Sequence, residues 1–308
     1  MRAARAVRAA GLAFVAALVA VGAAGAGLPS PCIGAAARDA NHRCTPNLTR
    51  TVSPKQGDIR LAPTTAGCRP TRQPPDVCAF GAPARRAKAA IALVGDSHAL
   101  HWRAALEGVA AARRWRGYSL TTAGCPFSAA VEYLPEGLRE TCVEWYAEAR
   151  AWFAAHPEVS TVVVSQTNKI PVAAPRRTEA QIKRAGYARA WSTLPRTVRR
   201  VVVLRDVPDP ADDTFRCVDR ALTTGIPRLG LACPTPRAEA LGADPAYTTA
   251  RALKSRRYRA IDLSNLFCTP KRCYPVIGGV QVYADVFGHV TAAYMKTVAP
   301  YLLRRLAG

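Results

Sequence analysis

From about residue 88 onward, short apolar runs alternate with segments whose apolar positions recur at helical spacing. The runs are "AIALVG" (90–95), "YSLTTA" (118–123), "TVVVSQ" (161–166), "VVVLRDV" (201–207) and "YRAIDLS" (258–264). The segments between them, 99–113, 138–155, 178–196 and 236–254, read as crossover helices. A last helix starts near Thr291, which can cap it, and Pro300 is expected to bend or end it. Strands that alternate with helices predict a parallel sheet covered on both faces. The expected fold is therefore an α/β three-layer α/β/α sandwich with a five-stranded mainly parallel sheet, flavodoxin-like, over residues 88–308. In such sheets the functional site lies beyond the carboxyl ends of the strands.

The chain upstream reads differently. Residues 28–87 carry four cysteines, many prolines and few apolar runs, as in "SPKQGDIRLAPTTAGCRPTRQPPDVC", and predict a cysteine-rich N-terminal extension. Residues 1–27 open with Arg2, Arg5 and Arg8, continue uncharged and apolar, and end at Ala24-Gly25-Ala26, a small-x-small site. That is the pattern of a signal peptide, or of a membrane anchor where it stays uncut, and it predicts an exported, extracytoplasmic protein. The 10 cysteines agree. They fall as neighbours, Cys32 with Cys44, Cys68 with Cys78, Cys125 with Cys142, Cys217 with Cys233 and Cys268 with Cys273. Five short disulfides fit that order, although order alone leaves connectivity open. No Cys/His spacing is zinc-like, so neither a metal nor another cofactor is expected. The net charge of +22 fits a partner such as an anionic wall polymer or a membrane surface. The arginines are scattered without interleaved aromatics, so nucleic acid is not an expected partner.

Between the first run and its helix lies Gly95-Asp96-Ser97-His98. A strand-to-helix turn can hold one side chain exposed and strained, which makes Ser97 a candidate nucleophile; Asp and Ser there also serve as helix caps. A serine hydroxyl needs a base, and the base an acid to set its tautomer. Of the five histidines, His42 lies in the extension, His156 sits before a proline, and His98 and His101 adjoin the serine. His289 remains, with Asp285 four residues upstream. Arg205 and Asp206, after the fourth run, read as a surface ion pair.

"LVGDSH" before a helix, "TTAGCPF" after the second strand, and the late "YADVFGHVTAAYMKTVAP" together resemble the SGNH hydrolase superfamily. The likeness is nearest to the SGNH domains fused to bacterial membrane acyltransferase (type 3) proteins. It covers roughly residues 88–305. The resemblance implies Ser97 as nucleophile, His289 as base and Asp285 as its orienter. It also implies an oxyanion hole from the backbone N–H groups of Ser97 and Gly124 and the side chain of Asn168. Two departures stand out. The third block usually carries Gly before its Asn, whereas here Gln166 and Lys169 flank "TN". Three residues separate Asp285 from His289 where two are usual, and Gly288 is placed to absorb the extra one in a turn.

The implied activity is an exported serine esterase or O-acyltransferase acting on acylated carbohydrate or another envelope polymer. The altered third block and the longer acid-to-base spacing motivate an alternative, a catalytically weak glycan-binding or accessory module of the envelope.

Overall fold

The computed structural model describes residues 32–41, 44, 52–55, 58–59 and 75–307. The leader, His42 and Cys68 lie outside them. The strands are β1 (Val77–Gly81), β2 (Ala90–Gly95), β3 (Arg116–Thr121), β4 (Val159–Ser165), β5 (Arg200–Leu204), β6 (Thr235–Pro236), β7 (Tyr258–Ile261), β8 (Arg272–Cys273), β9 (Val276–Ile277) and β10 (Val280–Gln281). The helices are α1 (Ser97–Leu100), α2 (Arg103–Arg113), α3 (Glu136–Ala155), α4 (Glu179–Ser192), α5 (Thr214–Thr223), α6 (Arg237–Ala240), α7 (Pro245–Ala252) and α8 (Ala292–Ala307).

The central sheet has the order β1-β3-β2-β4-β5-β7. Five of its strands are the five apolar runs, all mutually parallel. The sheet nevertheless has six strands rather than the five expected. The sixth is β1, which pairs antiparallel along the β3 edge, Val77 opposite Leu120 and Gly81 opposite Arg116. It comes from residues read as extension. Five residues with one fully buried member, Phe80, carry too little pattern to stand out as a strand.

Alternate residues of the parallel strands feed two cores. Ile91, Leu93, Val163, Val202 and Leu204 face α2 and α8, meeting Leu106, Val109, Met295, Val298 and Leu302. Ala92, Val94, Val162, Val164, Val201 and Val203 face α3, α4 and α7, meeting Trp145, Phe153, Tyr187, Trp191 and Ala250. Burial on both faces is why the runs read as continuously apolar. Trp102 also lies in the core.

Three helices differ from the sequence pattern. The segment 236–254 is broken at Gly242-Ala243, because Asp244 caps a new helix with Pro245 in its first turn. Helix α8 continues through Pro300 to Ala307, since Val298, Leu302 and Leu306 are held in the core and packing compensates for the lost hydrogen bond. Helix α5, which carries Cys217, was not visible as a separate element.

Cys32–Cys44, Cys125–Cys142, Cys217–Cys233 and Cys268–Cys273 are disulfides between neighbours in the chain. Cys78 is also disulfide-bonded. Disulfides at this density belong to an oxidising, extracytoplasmic setting. Among the described residues no helix is long and apolar enough to cross a membrane.

One buried charge gives a pH-dependent prediction. Glu132 is 4% exposed, beside the isolated bridge its backbone makes to Val172. Burial pushes its carboxyl up from an ordinary 4.5 to about 7. The folded state thus holds a proton that the unfolded chain has released, and stability falls as pH rises from 4.5 through 7. Glu132→Gln is expected to be more stable than the parent by about 2 kcal/mol at pH 8 and equal to it at pH 4. Urea midpoints at the two pH values measure this, and a constant offset would refute it.

Candidate active site

Strand β2 lies between β3 and β4, so the chain leaves it toward one neighbour while the next crossover returns on the other side. Sheets of this kind place their sites at such a switch point, at the carboxyl ends of the strands, and Ser97 follows the end of β2 directly. Gly95 makes the approach possible. Its φ is +145°, and a Cβ there would collide with the Ser165 carbonyl oxygen and meet the Ala99 side chain at 3.0 Å. Asp96 then caps α1, accepting from His98 N–H at 2.8 Å and from Thr167 N–H at 2.9 Å. Asp96 therefore ties the end of β2 to the end of β4. Burial pushes its carboxyl up to about 7, against the lowering effect of His98.

Ser97 Oγ lies 2.8 Å from His289 Nε2, across 192 residues of sequence. His289 Nδ1 lies 2.6 Å from Asp285 Oδ2. The other Asp285 oxygen accepts from the N–H groups of Phe287 (3.0 Å) and His289 (3.3 Å), so the acid also shapes the turn that carries the base. The extra residue between them is absorbed at Gly288, whose φ is +90°. A Cβ there would stand 2.6 Å from Asp209 Oδ1. Gly288→Ala is expected to push the turn off its seat and lower the rate of p-nitrophenyl acetate hydrolysis at least tenfold, with the urea midpoint little changed. A parental rate in that variant would contradict this account of the turn.

Among the residues proposed for the oxyanion hole, Gly124 has φ +73° in a turn closed by Cys125 N–H to the Thr122 carbonyl. A residue with positive φ at that place favours glycine. The Cys125–Cys142 disulfide pins this turn to α3. Asn168 stands after β4. Its N–H donates to Asp206 Oδ2 at 3.2 Å, and its carbonyl accepts from Lys183 Nζ at 2.7 Å. Gln166, the departure in the third block, is buried, and its amide has no partner among the described residues. Lys169 pairs with Asp209 at 2.7 Å.

Arg205 and Asp206 are not the surface pair expected from the sequence. Arg205 bonds Asp262 at 2.9 Å. Asp206 is buried and binds His98 Nδ1 at 2.7 Å. The adjacent Asp244 oxygen accepts the Asp206 N–H. Only the sheet rule pointed toward Asp206, because its partner lies 108 residues away. His156 caps α3 and stacks on Trp152 with ring centroids 3.8 Å apart, far in sequence from this cluster. Val286 and Phe287, 46% and 67% exposed, flank His289 on the solvent side.

The arrangement sets His289 Nε2 to take a proton from Ser97 Oγ, with Nδ1 directed at the Asp285 carboxylate. This geometry suits attack of a serine oxygen on an acyl carbon. A serine at the switch point of a mainly parallel sheet with helices on both faces defines the class, an α/β/α domain with a serine–histidine–aspartate chain. Residues 65–304 match the family model for the SGNH domain (fused to AT3 domains), and the chain belongs to that family. No curated protein matches the chain. Among solved structures, the periplasmic domain of a lipopolysaccharide acetyltransferase from Salmonella ser. Paratyphi A is similar in fold. Its TM-score is 0.56 at 11% identity, over 72% of this chain and 85% of that one. Membership in a family associated with acyltransferase proteins supports an acyl-transfer or esterase role.

Proposed function

We propose that this protein is an exported serine esterase or O-acyltransferase that moves acyl groups on cell-envelope carbohydrate through an acyl-enzyme on Ser97. The observation that carries the reading is the Ser97–His289–Asp285 hydrogen-bonded chain at the switch point of the sheet. The Ser97 oxygen attacks the ester carbonyl as its proton passes to His289 Nε2. The tetrahedral oxyanion is received by the N–H groups of Ser97 and Gly124 and the amide of Asn168. Collapse breaks the ester bond, and His289 returns the proton to the departing alkoxide. Water or a sugar hydroxyl then attacks the acyl-serine, deprotonated by the same histidine, to free Ser97.

Three features support the envelope setting: the leader pattern of residues 1–27, the disulfides, and a family described as fused to AT3 domains. That the similar structure is the periplasmic domain of an acetyltransferase supports acetyl as the group moved. Of residues 28–87, Val77–Gly81 form β1 on the edge of the central sheet, which ties this part of the chain to the domain that carries Ser97. The net charge of +22 favours retention on anionic envelope polymer.

The test is a fluorophosphonate probe on the oxidised protein, followed by p-nitrophenyl acetate with and without an oligosaccharide acceptor. The expected result is stoichiometric labelling at Ser97, found by mass spectrometry. Acyl-oligosaccharide formed at the expense of acetate marks a transferase, and acetate alone an esterase. A folded protein with Ser97 unlabelled would reject this reading in favour of a binding module.

A further inference from the structure

The histidines that adjoin Ser97 do different work from the one it touches. His98 is 2% exposed and His101 fully buried, and both lie on or directly after α1. His98 Nδ1 meets the Asp206 carboxylate at 2.7 Å, and its Nε2 lies 3.3 Å from the Phe287 carbonyl oxygen. Each of these partners is an acceptor, so both ring nitrogens of His98 must carry protons. His101 has the opposite requirement. Its Nδ1 accepts the Val290 N–H at 3.3 Å, which leaves that nitrogen bare and the ring neutral. Phe287 and Val290 bracket Gly288 and His289.

We propose that His98 and His101 are positioning residues, a doubly protonated and a neutral imidazole that clamp the segment bearing Asp285 and His289 onto α1. One histidine donates to a carbonyl on the near side of the base, and the other accepts an amide on its far side. The backbone of the loop can satisfy both only in one register and one direction. The Ser97 to His289 distance is thereby set from two sides by residues one and four positions after the serine itself.

The charges around the clamp agree. Burial opposes the His98 cation, but Asp206, Asp96 and Asp209 outweigh it and raise the imidazole from 6.5 to about 9. Asp209 in turn is paired with Lys169. Burial and the neighbouring His98 and His289 hold His101 well below the ordinary range. The three rings pack together, His98 at 5.4 Å from His101 and 5.2 Å from His289. Without the carboxylates, the His98 cation would oppose the imidazolium that forms on His289 during acyl transfer.

The rate test rests on the serine mechanism proposed above, whereas the protonation test does not. Imidazole ¹⁵N NMR at pH 7 is expected to show His98 protonated on both nitrogens and His101 neutral with its proton on Nε2. A neutral His98 or a charged His101 would overturn the clamp whatever the activity. In rates, His101→Leu is expected to lower kcat for p-nitrophenyl acetate by about 10- to 100-fold with KM unchanged. His101→Asn, which offers an acceptor oxygen where Nδ1 stood, recovers most of that loss. His98→Phe, made together with Asp206→Asn so that no buried charge is left unpaired, is expected to show the same fall in kcat. Parental kcat in both the leucine and the phenylalanine variants would refute the proposal while leaving Ser97 as nucleophile. Equal losses in His101→Leu and His101→Asn would likewise reject the acceptor role. Failure of Ser97 to react with the fluorophosphonate probe would sink the esterase reading alone.

Discussion

Ser97→Ala is expected to lower ester turnover by at least about 1000-fold, a loss of about 4 kcal/mol of transition-state stabilisation. Alanine retains the backbone N–H and the Asp96 cap of α1, so the fold and urea midpoint should stay close to the parent. His289→Ala should fall by a similar factor, and the double variant little further, because nucleophile and base act as one unit. That non-additivity separates a chemical partnership from two independent structural roles. The comparison requires p-nitrophenyl acetate hydrolysis by the three variants in oxidised form, with circular dichroism to establish folding. Turnover that survives in a pure Ser97→Ala preparation would remove the acyl-enzyme mechanism.

Gly95→Ala is expected to cost about 4 kcal/mol of stability. Two effects add. At φ +145° an L side chain is strained, and the new methyl would run into the Ser165 carbonyl oxygen of the adjoining strand. Both partners are backbone of central strands, paired at Gly95 and Ser165, so neither can move without breaking the ladder. Movement would also draw Asp96 away from Thr167 N–H and shift Ser97. Urea unfolding without reductant measures the loss. An unchanged midpoint with ordinary activity would mean that β2 and β4 approach less closely here than the structure shows.

The five apolar runs were legible because parallel strands buried on both faces need apolar residues at nearly every position, and Ala90–Gly95 was located to the residue. Boundaries elsewhere moved by a few residues, where polar ends such as Thr122 or Arg205 leave no periodic mark. Edge strand β1 was illegible, since its residues are only partly buried and its partner β3 follows only after β2 and α2. The disulfide order was legible for the four described pairs because each loop is short.

Ser97, His289 and Asp285 could be named from local pattern and a family likeness, since a strand-to-helix turn and a late histidine with a nearby acid each leave a mark in the chain. That they meet, with Oγ to Nε2 at 2.8 Å and Nδ1 to carboxylate at 2.6 Å, is a property of the folded sheet. The clearest case is Asp206. On paper it sits beside Arg205 and invites an ion pair with that neighbour, but in the fold it is buried against His98. Adjacent residues at the end of a strand point to opposite faces, so Arg205 turns to Asp262 and Asp206 to the crevice. The chain by itself determined which five runs form the parallel strands, which cysteines are neighbours and which serine stands at a strand-to-helix turn, because these depend on short-range periodicity and order. Tertiary structure alone decided the protonation states demanded of His98 and His101 and the partner of Asp206. Each of those depends on which backbone and carboxylate groups the packed sheet brings within hydrogen-bond reach, across separations that no local pattern encodes.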